Sequence, residues 1–167
     1  ALHLGRTMIA ERVYDVDRVI DYLETRDDVD RKRIGVMGNS GGGTTTLFAA
    51  AMLKRLSFAM PSCYFCTFQH SILSIHHCLC NFVPGLQLEA EMSDILGSFA
   101  PKPVVVVAGK EDDIFPIKAV RKSFRDLKHV YEAAGAGDKL KLVVGDGGHR
   151  FYADAAWKAL HKVVDLS

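Results

Sequence analysis

The sequence lacks the features that would place the protein in a membrane or on a nucleic acid. No apolar stretch approaches the roughly 20 residues that a membrane-spanning helix needs. The 21 Lys and Arg residues nearly balance the 20 Asp and Glu residues, for a formal net charge of +1. No excess of positive charge is therefore available to attract phosphate backbones or anionic lipids. We expect no nucleic-acid partner, no membrane partner, and a small molecule as the ligand.

Signals for export and for several domains are also missing. The first residues lack the apolar core of a secretion signal, which favours a cytoplasmic location. The chain begins with Ala1 rather than methionine, as expected of a processed product or a fragment. No internal repeat, low-complexity run or linker-like stretch appears, so residues 1–167 are predicted to form one domain. A chain of this length can bury about 70% of its unfolded surface.

Helical and strand-like patterns alternate along the chain. Apolar residues at helical spacing predict helices from Ile9 to an acidic turn at 27–30, over 43–53, from Ile117 to Tyr131, and over about 152–164. Short apolar runs predict strands at 33–37, 56–60, 104–108 and 140–144, with Pro61 closing the second. Strands separated by helices pair in parallel through right-handed crossovers, with helices on both faces of the sheet. The predicted class is α/β, with a mostly parallel sheet of about four strands.

The sequence Gly-Asn-Ser-Gly-Gly at 38–42 matches the pattern G-x-S-x-G between a predicted strand and a predicted helix. In that setting a serine lies on a sharp turn that exposes its hydroxyl, the nucleophile elbow. We expect the glycines at 38, 41 and 42 to be required because a β-carbon there would clash with backbone or substrate. A bare G-x-S-x-G also occurs by chance in glycine-rich loops. Ser40 is therefore a candidate nucleophile only if a base and an acid accompany it.

Candidates for the acid and for the base follow two later predicted strands, so the order along the chain is Ser, acid, His. An acidic loop, Gly-Lys-Glu-Asp-Asp-Ile-Phe-Pro at 109–116, follows the valine-rich strand. The segment Gly-Asp-Gly-Gly-His at 145–149 follows the strand after it. Reactive groups of open α/β sheets gather at the carboxyl ends of the strands, so we expect Ser40, Asp112 and His149 to meet. Taken singly, Asp112 is more often a solvated turn residue and His149 a loop histidine, and Glu111, Asp113 and Asp146 are alternative acids.

All four cysteines fall within 63–80, with histidines among them. One interpretation is a zinc site, although the spacing Cys78-x-Cys80 is tighter than usual for zinc ligands. We favour the alternative that Cys63 and Cys66 are small buried residues that pack like methyl groups. A disulfide is possible chemically but not required for folding. We therefore predict no metal site.

The segment 62–88 has no clean period of either kind and is rich in Cys, His and aromatic residues. Long irregular segments in compact domains are usually lids or binding loops, and this one leaves the sheet near Ser40. It is predicted to line or cover the substrate pocket, although core packing is nearly as common for any one of its side chains. With Asn39 of the elbow, the predicted substrate-binding residues are Asn39, Tyr64, Phe65, Phe68, His76 and His77.

These segments together resemble the α/β-hydrolase superfamily, and within it the acetyl xylan esterase-like and dienelactone hydrolase-like branches. The elbow at 38–44, the acid loop at 109–116, the histidine loop at 147–151 and the stretch at 74–81 carry the resemblance. It implies Ser40 as nucleophile, His149 as general base, and Asp112 as the acid, which the family spacing from Gly109 and to Pro116 selects. It also implies the Gly41 backbone N–H as an oxyanion donor.

Family members generally have an eight-stranded sheet, and the readable pattern here begins with the helix before the fifth strand. The resemblance therefore implies a truncated α/β-hydrolase sheet in which the strand at 33–37 lies at an edge. Unpaired edge groups invite association. We expect a homo-oligomer that covers this edge, or a partner chain that supplies the missing half.

The resemblance implies a serine esterase that hydrolyses short-chain, acetyl-type carboxylic esters through an acyl-enzyme, without a metal or organic cofactor. The same triad also serves peptidases and lactone hydrolases, since the fold does not choose the leaving group. A third hypothesis is a catalytically inactive hydrolase-like module for binding or assembly.

Overall fold

The computed structural model describes residues 2–165, and the side chains of 3–165. The helices of these residues are α1 (Met8–Glu24), α2 (Gly41–Met52), α3 (Leu86–Glu89), α4 (Met92–Gly97), α5 (Ile117–Ala133) and α6 (Ala153–Leu160). The strands are β1 (Val36–Asn39), β2 (Ala59–Ser62), β3 (Val104–Gly109) and β4 (Leu140–Gly145). Short 3-10 helices occur at Leu2–Leu4, Phe68–His70, Leu79–Asn81 and Gly137–Lys139. None of the helices in the described part is long and apolar enough to cross a membrane.

The four strands form one parallel sheet whose spatial order, β1-β2-β3-β4, repeats the order along the chain. Asn39 pairs with Ser62, Ser62 with Val107, and Gly109 with Gly145, so the carboxyl ends of the strands lie along one rim. The predicted α/β class and the four parallel strands are confirmed. This rim carries the residues that follow each strand, including the candidate catalytic groups.

Helices pack on both faces of the sheet, as predicted. Alternate residues of β3 point to opposite faces: Val104 and Val106 pack with the residues of α1, α2, α4 and α5 in the main core. Val105 and Val107 pack with Ala156 and Leu160 of α6 in a smaller core. The whole of β3 is buried, which explains its uninterrupted apolar sequence.

The second strand differs from the prediction. It covers Ala59–Ser62 and not 56–60, and Pro61 lies inside it, paired with Gly38 of β1. A proline cannot donate to a ladder, but β2 pairs with β3 only at Ala59 and Ser62. The interruption of that ladder leaves room for Pro61 inside an interior strand.

The first and last elements also shift. β1 begins at Val36, because Arg33 is held to Asp30 in the preceding turn by both side-chain and backbone hydrogen bonds. The final helix ends at Leu160 rather than near 164. The helix α4 was not predicted: its six residues are too few for a clear helical period. Between Cys63 and Gly85 the chain contains only turns and short 3-10 helices, in agreement with the predicted irregular segment.

β1 lies at an edge of the sheet. Beside it is an apolar groove of about 400 Å³ between β1 and α1, lined by Val16, Val19, Leu23 and Met37 among others. Val19 is 56% exposed and Met37 40% exposed. Apolar side chains therefore flank an edge with unpaired backbone groups.

Candidate active site

Ser40 occupies a strained turn between β1 and α2. Its φ of 55° and ψ of −118° are unusual for a residue with a side chain, and such strain clusters at functional sites. The Ser40 N–H donates to the Ser62 carbonyl at 2.9 Å, and the Ser40 carbonyl accepts from the Thr44 N–H at 3.0 Å. The backbone is thus held from both sides in the geometry of a nucleophile elbow.

Close packing at the elbow depends on two glycines, Gly38 and Gly43. A β-carbon on Gly38 would lie 2.4 Å from the Gly42 carbonyl carbon, and one on Gly43 would lie 2.6 Å from the Tyr64 β-carbon. The expectation that β-carbons on Gly41 and Gly42 would clash with backbone is wrong. A β-carbon on Gly42 would meet nothing within 4 Å, and one on Gly41 only the Arg12 side chain at 3.5 Å. At the start of α2, Gly42 is exposed and Gly41 is half-buried.

Asp112 lies beyond β3, and its buried carboxylate has hydrogen-bond partners at both oxygens. Its Oδ1 accepts from the backbone N–H groups of Ile114 at 3.0 Å and Phe115 at 3.1 Å. Its Oδ2 lies 2.9 Å from Nδ1 of His149. The residue is 4% exposed, whereas the neighbouring Glu111 and Asp113 are exposed. The backbone bonds fix the carboxylate in one orientation, with one oxygen left for the imidazole.

The loop that carries His149 is fixed by a tyrosine that follows it. The Tyr152 hydroxyl accepts from the Gly147 N–H at 3.1 Å and donates to the Gly148 carbonyl at 2.8 Å. The Gly147 carbonyl in turn accepts from the Glu111 N–H at 2.9 Å. The acid loop and the histidine loop are therefore joined by backbone as well as by side chains.

The imidazole of His149 is oriented but not hydrogen-bonded to the serine. Its ring stacks on Phe115 with centroids 5.9 Å apart and an interplanar angle of 19°. Its Nε2 is buried and has no hydrogen-bond partner among the described residues. With Nδ1 facing the Asp112 carboxylate, the neutral ring carries its proton on Nδ1 and leaves Nε2 free to accept one.

A cavity of about 130 Å³ opens beside Ser40. Of the predicted substrate-binding residues, Tyr64, His76 and His77 line it. The other side chains of its wall come from the elbow helix, the irregular segment and the acid loop, and none was predicted individually to bind substrate: Thr44, Ile75, Cys78, Asn81, Ile114 and Phe115. Phe115 could have been noticed, because it lies within the acid loop three residues beyond Asp112.

Three predicted pocket residues lie elsewhere. Phe65 is 1% exposed and belongs to the main core. Phe68 lines a neighbouring apolar cavity of about 200 Å³ and not the cavity of Ser40. Asn39 ends β1, and its side chain accepts a hydrogen bond from the Ser62 hydroxyl at 2.7 Å. These side chains are used for packing and for strand pairing, which leaves Tyr64, His76 and His77 as the pocket candidates.

The cysteines do not form the zinc site considered from the sequence. All four are free, and Cys63 and Cys66 are buried, as the favoured alternative requires. Within the described residues, the one group with metal-ligand spacing is Cys63, Asp112 and His149, whose ligand atoms lie within 4.8 Å of one another. Burial and the nearby Asp112 charge raise the pKa of Cys63 to about 11. Its thiol therefore stays protonated near neutral pH.

Cys63 holds the histidine loop instead. It follows β2 with a φ of 46°, and its thiol donates to the Arg150 carbonyl at 3.3 Å. This bond joins the end of β2 to the residue after His149. A strained cysteine in this position was not anticipated, because its role depends on contacts between distant loops.

The chain is similar to known esterases and hydrolases. A family model described as acetyl xylan esterase matches residues 5–78. The putative hydrolase YtaP of Bacillus subtilis (strain 168) is 30% identical over 150 residues, which cover 87% of this chain and 50% of the relative. The carbohydrate esterase MZ0003 of an unknown prokaryotic organism is 24% identical over 159 residues, covering 84% of this chain and 34% of the relative. The chain thus spans half, or less, of the length of these relatives.

Solved structures of esterases share the fold. A family 15 glucuronoyl esterase from Caldicellulosiruptor kristjansonii superposes with a TM-score of 0.75 at 19% identity, covering 90% of this chain and 48% of that one. A glucuronoyl esterase from Solibacter usitatus gives a TM-score of 0.73 at 18% identity, with coverages of 90% and 47%. The resemblance to α/β hydrolases of the acetyl xylan esterase type is confirmed.

Proposed function

We propose that the protein is a serine esterase in which Ser40 is the nucleophile, His149 the general base and Asp112 the acid that orients it. The observation that carries the proposal is the 2.9 Å contact between the Asp112 carboxylate and His149 Nδ1, on a rim shared with the strained Ser40 elbow. The confirmed similarity to esterases supports the reaction class.

In the proposed reaction, His149 Nε2 accepts the proton of the Ser40 hydroxyl as the oxygen attacks the ester carbonyl. The buried Asp112 carboxylate stabilises the imidazolium that forms. Nε2 has no competing partner among residues 3–165, and catalytic hydrogen bonds often tighten only when substrate is bound. His149 then gives the proton to the leaving alcohol, and the same residue activates the water that releases the acid from the acyl-enzyme.

The negative oxygen of the intermediate lies near the beginning of α2, where the Gly41 N–H is available as a donor. The first turn of this helix contains no acidic residue, so the positive end of the helix dipole is not neutralised there. The reaction uses only these groups and water, and requires no cofactor.

We further propose short acyl groups, acetyl first, on a carbohydrate alcohol. The cavity beside Ser40, at about 130 Å³, suits a small acyl group. Support for a carbohydrate ester comes from the family model named for acetyl xylan and from the relative named a carbohydrate esterase.

The test is turnover of p-nitrophenyl acetate by the wild type and by Ser40→Ala, together with labelling by a fluorophosphonate. We expect wild-type turnover and labelling at Ser40, and loss of both in the variant. Equal rates for the two proteins would exclude the mechanism. Absence of labelling in a wild-type sample with a folded circular-dichroism spectrum would favour the inactive binding module.

A further inference from the structure

Two thiols face each other at the wall of the Ser40 cavity. The sulfur atoms of Cys78 and Cys80 lie 2.8 Å apart, and both residues are free cysteines. Cys78 is exposed, whereas Cys80 is 3% exposed. The proposed esterase reaction uses neither side chain.

The pair is held in place by the residue that follows it. Asn81 Nδ2 donates to the Cys78 carbonyl at 3.2 Å and lies 3.3 Å from the Cys78 sulfur and 3.7 Å from the Cys80 sulfur. The Asn81 N–H also donates to the Cys78 carbonyl at 3.0 Å. Because a disulfide bond is about 2.05 Å long, the two sulfurs need only a short approach to form one.

We propose that Cys78 and Cys80 are a redox-active pair that is oxidised by a low-molecular-weight disulfide of the glutathione class. The Cys78 thiolate attacks one sulfur of that molecule, forms a mixed disulfide and releases one thiol. The Cys80 thiolate then attacks the Cys78 sulfur, forms the Cys78–Cys80 bond and releases the second thiol. Two protein thiols are oxidised and one external disulfide is reduced to two thiols, so atoms and electrons balance.

The difference in exposure sets the order of the two attacks. An external disulfide can reach the Cys78 sulfur but not the buried Cys80 sulfur. Burial raises the pKa of Cys80, and the hydrogen bond and charge of Cys78 raise it further, against the opposing charge of Arg12. Once Cys78 is in a mixed disulfide it can no longer be a thiolate, so its charge no longer opposes ionisation of Cys80. The first step therefore promotes the second.

Formation of the bond is expected to be reversible. A single residue, Leu79, separates the two cysteines, so the closed ring is small, and strained or exposed disulfides are the ones that are readily reduced. Cys78 and Asn81 line the cavity beside Ser40, so the redox state changes the wall that a substrate meets. Only this last consequence rests on the proposed esterase function.

The experiment treats the reduced full chain with oxidised glutathione, alkylates the remaining thiols after unfolding, and maps the peptides by mass spectrometry. The wild type should retain no glutathione and contain one Cys78–Cys80 bond, with Cys63 and Cys66 alkylated. Cys80→Ser should retain one glutathione on Cys78, because the second attack is missing. Cys78→Ser should react at least about 10-fold more slowly, because its remaining thiol of the pair is buried. Cys66→Ser is the matched control and should form the same Cys78–Cys80 bond as the wild type.

A wild type that keeps glutathione on Cys78, or a Cys78→Ser variant that reacts at the wild-type rate, would overturn the proposal. None of these measurements needs ester hydrolysis, so they stand if the esterase assay fails. If ester turnover is found, the oxidised protein should differ from the reduced protein in KM more than in kcat, and reduction should restore the original KM.

Discussion

Gly109 and Gly148 meet backbone against backbone: a β-carbon on Gly109 would lie 2.2 Å from the Gly148 carbonyl oxygen. The end of β3 can therefore touch the histidine loop only because Gly109 has no side chain. This contact brings the loop that carries Asp112 close enough for its carboxylate to reach His149.

Gly109→Ala is expected to separate the two loops. Overpacking of this kind costs about 1–3 kcal/mol, and ester turnover should fall together with the free energy of unfolding. Urea titration and kinetics on the same samples measure both. Gly42→Ala is the matched control, because a β-carbon there meets open space. It should leave stability unchanged or raise it by up to about 1 kcal/mol, as alanine is the better helix former.

Asp112→Asn is expected to reduce kcat by roughly 10³ to 10⁴, because an amide at this position holds the wrong tautomer of His149. The buried backbone donors of Ile114 and Phe115 keep an acceptor, so the fold should survive. Asp113→Asn, at an exposed neighbour, should retain wild-type kcat. A comparable loss in both variants would contradict the assignment of the acid.

Tyr152→Phe is expected to lower kcat several-fold by releasing the histidine loop, and to cost about 0.5–1.5 kcal/mol of stability for its hydrogen bonds. Tyr131→Phe provides the comparison. Its hydroxyl donates to the Lys102 carbonyl at 2.8 Å, away from the site, so the variant should lose similar stability and keep its kcat. If both variants keep full activity, Tyr152 serves only the fold.

His77 should make the protein less stable in acid. Burial lowers the pKa of His77, against a hydrogen bond with Ser71 that raises it. The fold therefore favours the neutral ring, and its contribution is lost as pH falls from about 6.5, the ordinary histidine value, towards the lower folded pKa. The drop in unfolding free energy between pH 7.5 and 5.5 should be smaller in His77→Gln than in the wild type. An equal drop would show that other groups cause it.

We propose that a second copy of the chain covers the β1 edge. The edge has unpaired backbone groups and the apolar groove beside Val19 and Met37, and two copies can present the same edge to each other across a two-fold axis. Sedimentation at micromolar concentration should detect a dimer. Val19→Lys should weaken it, while Leu88→Lys, at a more exposed apolar residue elsewhere, should not. A stable wild-type monomer would refute the proposal.

The sequence was sufficient for the elements whose patterns are local. The run of four valines in β3 and the glycines of the elbow specify a buried strand and a sharp turn directly. The α4 helix has a weaker signal: Asp94 accepts from the Glu91 N–H at 2.9 Å, a helix-start pattern that is easily overlooked. The end of β2 could not be predicted from the sequence, because Pro61 is tolerated only through a gap in the hydrogen-bond ladder between β2 and β3.

The candidate site was also predictable only in part. The order of Ser40, Asp112 and His149 along the chain was readable, since each follows a strand. The pocket lining could not be predicted, because the segment 62–88 has no helical or strand periodicity. Its conformation depends on distant contacts, such as the Phe68 N–H donating to the Glu91 carboxylate at 2.9 Å. The roles of Tyr152 and Cys63 also depend on loops that meet only in the folded protein.

The strands lie in the sheet in the same order as along the chain, which has a consequence for folding during synthesis. Each new strand can dock on the one made just before it, so the sheet can grow in the direction of synthesis. The serine turn then forms early, the acid loop next, and the histidine loop last. Under the proposed mechanism, a nascent chain that has not yet reached β4 would contain Ser40 without His149, so ester hydrolysis would have to wait until β4 and the loop after it are in place.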